Sequence, residues 1–232
     1  MQKGPPNIVV IIPAFNEENA IGNVIHDIPK DWVNKIIVVN NNSNDNTKTI
    51  AREAGAMVAD EPIQGYGNAC LKGIAYAASL IPSPDIIVFL DADYSDHPEE
   101  LPKIVHPIIE EDYDMVIGSR ALGHRERGAM TFQQIFGNGL ATFLIKLFYG
   151  VHYTDLGPFR AIKFDKLMKL DMQDKTYGWT VEMQLKAAKN RFKITEVPVT
   201  YRRRIGFSKI SGTLKGTVMA GYKIIITIFK YL

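Results

Sequence analysis

The sequence predicts an α/β fold in which a mostly parallel sheet is covered by helices on both faces. Short β-branched runs alternate with stretches whose apolar residues recur at helical spacing. The runs are apolar at consecutive positions, as strands buried on both faces are. A chain of 232 residues, 46% hydrophobic and without long linkers or low-complexity tracts, suffices for one large core.

Taken in order, residues 8–12, IVVII, form the first strand, which Pro13 ends. FNEENAIGNVIHDI then places Ile21, Val24, Ile25 and Ile28 at helical spacing. IIVVN (36–40) precedes a helix over 46–55, and MVAD (57–60) precedes one from about Asn68 to Ala78. IIVFLDAD (86–93) leads to a helix beginning near Pro98, and YDMVIGSR (113–120) is a further strand. Residues 130–149 are helical and strongly apolar, although Gly137 and Gly139 lower the propensity. GPFRAIKF (157–164) reads as a strand, YGWTVEMQLKAAKN (177–190) as a helix, and FKITEVPVTYRRR (192–204) as a strand with alternating faces. Right-handed crossovers bring the C-terminal ends of the early strands to one edge, where ligands bind in open sheets.

The single cysteine, Cys70, excludes an intramolecular disulfide and reads as a small apolar helix residue. The opening MQKGPPNIVV has no apolar signal stretch, so a cytoplasmic location is expected. Charge is uneven: residues 1–185 carry 16 Lys+Arg against 24 Asp+Glu, and residues 186–232 carry 11 against 1. Neither helix-turn-helix nor zinc-finger spacing accompanies the basic end, so nucleic acid is not the expected partner. An anionic membrane surface or a phosphate-bearing substrate fits it better. Residues 217–232 lack acids and form an amphipathic helix with Lys223, Thr227 and Lys230 on one face. Its apolar stretch is shorter than the roughly 17–25 residues that span a bilayer. It is expected to lie in the membrane interface, or to pack on the body or on a second copy in a homo-oligomer.

Asp91 and Asp93 stand two apart behind an apolar strand. If the strand conformation persists through Asp93, both carboxylates point to one side and repel unless a cation intervenes. Such an oxygen set suits Mg²⁺ or Mn²⁺ completed by substrate phosphates. Asp96, followed by His97 and Pro98, reads instead as a helix cap. The first two strands end in PAFNEE (13–18) and NNSNDNT (40–47), whose side chains suit hydrogen bonding to a base or ribose, or turns and caps. Gly65 and Gly67 permit close backbone approach to a ligand. GYGNAC (65–70) fails as a dinucleotide fingerprint, since it follows the third strand and Cys70 fills the third glycine position. Arg120, Arg160 and the run Arg202, Arg203, Arg204 with Lys209 offer guanidinium and ammonium partners for phosphate.

In this order PAFNEE, NNSNDNT, the DAD of 91–93, GSR, DLGPFR, GWTVEM and VPVTYRRRIGFSK resemble the inverting family-2 glycosyltransferases of the Rossmann-like GT-A fold. The likeness is nearer to the dolichyl- and polyprenyl-phosphate sugar synthases, and it runs over about residues 8–211. The resemblance implies a catalytic domain over 1–211 with an appended helix at 212–232. It implies a UDP- or GDP-linked nucleotide-sugar donor and a polyprenyl phosphate acceptor, handled peripherally on the cytoplasmic face of a membrane. Pro13, Phe15 and Glu17 match the motif lining the base pocket, and Asn40 and Asn41 stand where a pair of aspartates is usual. Asp91, Ala92 and Asp93 match the metal and diphosphate signature, with Ser95 where a glutamine is frequent. Asp155 and Arg160 match the region facing the sugar and acceptor phosphate, and Glu182 an acidic position after it. Asp93, Asp155, Arg160 and Glu182 are thus the expected catalytic residues. The basic RRR and SK elements match a phosphate clamp. The family arginine stands three before the glycine, at Arg203, whereas the phase counted from Tyr201 selects Arg204. A glycosyltransferase using a sugar hydroxyl, a sugar-1-phosphate nucleotidyltransferase and a non-catalytic nucleotide-sugar binding module are the alternatives. PAFNEENAI lacks the glycine-rich basic loop that a nucleotidyltransferase uses for a triphosphate.

Overall fold

The computed structural model describes residues 4–206 and 214–232. Among the described residues, seven strands form one sheet in the order β3-β2-β1-β4-β6-β5-β7. They are β1 (Ile8–Ala14), β2 (Lys35–Asn40), β3 (Met57–Asp60), β4 (Ile86–Phe89), β5 (Met115–Ser119), β6 (Arg160–Lys163) and β7 (Ile194–Pro198). Only β6 runs against its neighbours, pairing antiparallel with both β4 and β5. The sheet is therefore mixed but mostly parallel, as expected.

The helices are α1 (Ile21–Asp27), α2 (Thr47–Glu53), α3 (Tyr66–Ala78), α4 (Leu101–Glu111), α5 (Phe132–Tyr149), α6 (Phe164–Leu170), α7 (Trp179–Lys189) and α8 (Leu214–Lys230). Strand residues of one parity, Val9, Ile11, Ile37 and Phe89 among them, pack against α3, α5, α6, α7 and α8. Val10, Ile12, Val38 and Val88, of the other parity, pack against α1, α2 and α4. The strands are apolar on both sides because both faces are covered.

The strands read at 157–164 and 192–204 shorten to 160–163 and 194–198, α3 begins two residues early, and α6 was not read from sequence; three further differences each have a clear physical reason. Pro13 lies inside β1, in register with Val39. Ile11 directs its carbonyl to Leu90, and Pro13, of the same parity, faces the side where β4 has already ended. Its missing N–H forfeits no ladder bond. Second, α1 begins only at Ile21, because Phe15–Ala20 is a turn segment tied to the β2–α2 loop through Glu17, Glu18 and Asn16. Third, β4 stops at Phe89, and the chain turns at Ala92–Asp93, with Tyr94 in the left-handed region at φ 62°.

Helix α5 keeps all 18 residues despite its glycines, anchored by a capping box between Thr131 and Gln134. Helix α8 packs on α5 and α7. Tyr149 Oη donates to the Ile228 carbonyl at 2.7 Å, and the Phe148 and Phe229 rings meet edge-on at 5.4 Å. No helix among the described residues is long and apolar enough to cross a membrane.

Candidate active site

A cleft of about 300 Å³ opens at the C-terminal edge of the sheet. From the end of β1 come Pro13, Ala14, Phe15 and Glu17; from the end of β2, Asn41; from the turn after β4, Asp91, Ala92 and Asp93. The start of α3 adds Gln64, Gly65, Tyr66 and Ala69, and Tyr177 and Arg204 complete the wall. Crossover topology explains most of the gathering, since the residues after β1, β2, β3 and β4 follow neighbouring strand ends, whereas Tyr177 precedes α7 and Arg204 comes from the segment beyond β7.

The two acids reach this cleft on a turn. Strand periodicity, the geometry expected from sequence, does not extend to them. Asp93 is fixed by its own loop: its Oδ1 accepts from the Ser95 amide at 3.0 Å and from the Ser95 hydroxyl. Its Oδ2 pairs with Arg204 Nη1 at 2.9 Å. Asp91 Oδ1 accepts from the Tyr66 hydroxyl at 3.1 Å. Burial, followed by the Asp93 charge, pushes the Asp91 carboxyl up to about 7. Two carboxylates of hard oxygen donors fit a divalent cation. The described residues contain no group of three or more His, Cys, Asp or Glu side chains arranged to hold one. That donor set suits an ion whose shell is completed by phosphate oxygens and water rather than a protein cage.

Arg204 is the member of the arginine run that enters the cleft. Its Nη2 donates to Glu17 Oε1 at 2.6 Å while Nη1 engages Asp93. The count from Tyr201 thus marks the side chain on the cleft wall. Arg202 turns inward, stacked 3.4 Å above the Tyr94 ring and donating to the Tyr94 and Asp96 carbonyls. Arg203 points away, donating to the Arg127 carbonyl. Lys209 lies outside the described residues.

The remaining residues singled out from sequence serve the frame around the cleft. Arg160, expected to face the sugar, is fully buried and donates to the carbonyls of Leu156, Gly157 and Thr180. Desolvation depresses its guanidinium to about 10. Asp155 is buried in a bidentate pair with Arg120, whose Nε and Nη2 both lie at 2.7 Å. Arg120 stacks on the Tyr201 ring beyond the cleft wall. Glu182 is buried and accepts from the Gln173 and Asp174 amides, the Tyr231 hydroxyl and Lys186. These hydrogen bonds hold its carboxyl below the ordinary range despite burial.

Asn40 donates to Asp60 and accepts from the Ser43 amide. Asn41 donates to the Glu61 and Ile63 carbonyls and accepts from the Gly65 amide. Both amides therefore knit the β2 and β3 ends together. Gly65 and Gly67 do allow close approach, but of protein: a Cβ on either would strike the backbone of Asp174 and Lys175. Asp96 caps nothing. Its buried carboxylate oxygens have no hydrogen-bond partner among the described residues, and burial beside Asp91 raises its pKa well above the usual range.

Sequence reasoning missed Tyr66, Tyr177 and Gln64. An aromatic residue between two glycines at the head of α3, on the ligand-binding edge, was the available signal for Tyr66.

The profile of the family described as Glycosyl transferase family 2 matches residues 9–171. A Haloferax volcanii protein named dolichyl-phosphate hexose transferase is 34% identical, over 88% of this chain and 86% of its own. A Methanococcus voltae protein named UDP-N-acetylglucosamine–dolichyl-phosphate N-acetylglucosaminyltransferase is 29% identical, over 94% and 92%. Among solved structures, glucosyl-3-phosphoglycerate synthase of Mycobacterium tuberculosis, crystallised with Mn²⁺, UDP-glucose and phosphoglyceric acid, superposes with a TM-score of 0.76. It is 23% identical, with 97% of this chain and 79% of that one covered, and it shows a shared GT-A fold.

Proposed function

This chain belongs to glycosyl transferase family 2, and we propose that it transfers a hexose from a nucleotide-diphosphate sugar to a polyprenyl phosphate with the help of Mg²⁺ or Mn²⁺. The observation carrying this reading is the convergence of Asp91, Asp93 and Arg204 on one cleft beside Phe15 and Asn41. The acid pair and the guanidinium are complementary to a cation and a diphosphate, respectively. Phe15 and the strand-end polar groups line the space for the nucleoside.

A bound cation supplies neutralisation of the charge that grows on the leaving diphosphate. Asp91 and Asp93 would hold it, and Arg204, on the wall of the same cleft, would donate to the same diphosphate. The acceptor oxygen attacks the anomeric carbon opposite the diphosphate: the new C–O bond forms as the C–O bond to the diphosphate breaks, and configuration inverts. A phosphate oxygen is already anionic near neutrality and needs no strong base. A hydroxyl acceptor needs a carboxylate in reach. Asp155 and Glu182, the sequence candidates for that base, are both committed to buried partners. That favours the phosphate acceptor over the hydroxyl one.

The names of the dolichyl-phosphate relatives support the lipid part. So does an apolar face on α5 and α8, where Phe132, Phe136, Phe143, Leu147, Tyr222 and Phe229 are exposed. The sequence of α5 carries one lysine and that of α8 three, and neither has an aspartate or glutamate. On this reading residues 1–211 form the catalytic domain. Residues 212–232, together with α5, rest peripherally on the cytoplasmic face of an anionic membrane, each nearby lysine contributing roughly 1 kcal/mol.

The test offers UDP- and GDP-sugars with Mg²⁺ or Mn²⁺ and polyprenyl phosphate, following nucleoside diphosphate release and the lipid product by mass spectrometry. Diphosphate release dependent on both metal and lipid phosphate is expected. Equal transfer to a soluble glycan removes the lipid acceptor, pyrophosphate release indicates a nucleotidyltransferase, and metal-dependent nucleotide binding without product indicates a binding module.

A further inference from the structure

We infer that Tyr66 is a positioning residue that sets the Asp91 carboxylate for its cation, an inference that rests on the cation reading of the acid pair. Three features of the fold converge on that phenol. First, the head of α3 is pinned on two sides. The Gly65 amide donates to Asn41 Oδ1 at 2.8 Å, and the Asn68 amide donates to the Lys175 carbonyl at 3.0 Å. Gly65 and Gly67 lie so close to the Asp174–Lys175 backbone that neither position accepts a Cβ without displacement. The Tyr66 backbone is thus held between the β2 end and the segment before α7.

Second, the ring is held edge-on by Trp179, centroids 6.2 Å apart, and Trp179 is itself fully buried against Phe89 at 4.7 Å. A ring with that mount has little freedom to swing away from its partner.

Third, the hydroxyl is spent on the acid pair. Tyr66 Oη donates to Asp91 Oδ1 at 3.1 Å. That single bond fixes which Asp91 oxygen is occupied. Asp93 is fixed differently, by Ser95 on one oxygen and Arg204 on the other. Each acid therefore has its own support, and a rigid partner behind a ligating carboxylate orients it and tunes its affinity.

The measurement is Mn²⁺ binding itself, by calorimetry or by the electron spin resonance of free Mn²⁺, on the full chain without donor or acceptor. Tyr66→Phe keeps the ring and its packing and removes only the donor. Its Mn²⁺ affinity is expected to fall about 10- to 100-fold, with the thermal midpoint of the metal-free protein close to wild type. Trp179→Phe disturbs the packing around the ring and leaves the phenol, so it is expected to lower the midpoint more than the affinity. Unchanged Mn²⁺ affinity in Tyr66→Phe overturns the assignment, as does an equal affinity loss in both variants, which would make it packing damage. Wild-type protein that takes up no Mn²⁺ overturns the cation reading beneath it, an outcome distinct from both.

Discussion

Replacing Arg204 by alanine separates a cleft residue from its inward-turned neighbours. The guanidinium is a quarter exposed and bridges Glu17 at 2.6 Å and Asp93 at 2.9 Å, two carboxylates whose side chains are only 9% and 12% exposed. Removing one partner of a fully buried ion pair costs about 3–5 kcal/mol. Partial exposure here and the Ser95 bonds retained by Asp93 reduce this to about 1–2 kcal/mol, or some 2–8 °C in midpoint for a chain of this length. The catalytic loss is expected to be larger. If Arg204 donates to the leaving diphosphate, its removal should lower kcat/KM about 10²–10³-fold, as loss of one transition-state donor does. Arg204→Lys restores charge without the two-pronged fork and should recover only part of it. The assay is nucleoside diphosphate release at saturating metal, alongside thermal melts. Arg203→Ala, whose side chain points to the Arg127 carbonyl, should change kcat/KM less than about twofold. Retention of wild-type turnover by Arg204→Ala, or an equal loss in Arg203→Ala, would refute the reasoning.

Other consequences follow from the same geometry. Arg160→Met leaves the Leu156, Gly157 and Thr180 carbonyls without their donor, and urea titration should show a loss of about 3 kcal/mol; donor KM in the folded fraction should be unchanged. Gly67→Ala drives a methyl group into the Asp174 carbonyl and should cost at least about 1–3 kcal/mol, measured by the same titration. Asp91 also carries a pH signature. With its folded pKa raised to about 7, its contribution to the metal-free fold is full below the ordinary carboxyl pKa and lost as pH rises through about 7. A cation needs the deprotonated form, so Mn²⁺ affinity should climb up to about tenfold per pH unit below 7 and level off above it. A Mn²⁺ affinity that is flat from about pH 5 to pH 9 would contradict this.

Much of this arrangement was legible in the sequence, and the limits of legibility are physical. MVAD (57–60) emerged as β3 residue for residue, because a short apolar run between helical patterns has few other uses. The direction of β6 was not legible, since RAIK carries no mark of antiparallel pairing. Asp91 and Asp93 could be singled out by chemistry alone, even though a turn rather than a strand delivers them to the cleft. Arg160, Asp155 and Glu182 could not be separated from cleft residues, because a charged side chain satisfied by buried carbonyls or amides looks in sequence like one awaiting a ligand. The glycines of GYG show the same ambiguity: a need for close approach is readable, but not whether the Asp174–Lys175 backbone or a substrate approaches. Tyr66 was hidden because its partner is 25 residues away and meets it only once α3 is docked on the sheet.

The most direct test of the central claim is calorimetric titration of a nucleoside diphosphate into the protein with Mn²⁺, with excess chelator, and with Asp93→Asn. If the acid pair and the diphosphate share one cation, affinity should be high only for the wild-type chain with Mn²⁺ and fall at least about tenfold in the other two. Equal affinity in all three would show that the nucleotide is held without the ion, and the account of the cleft would be wrong.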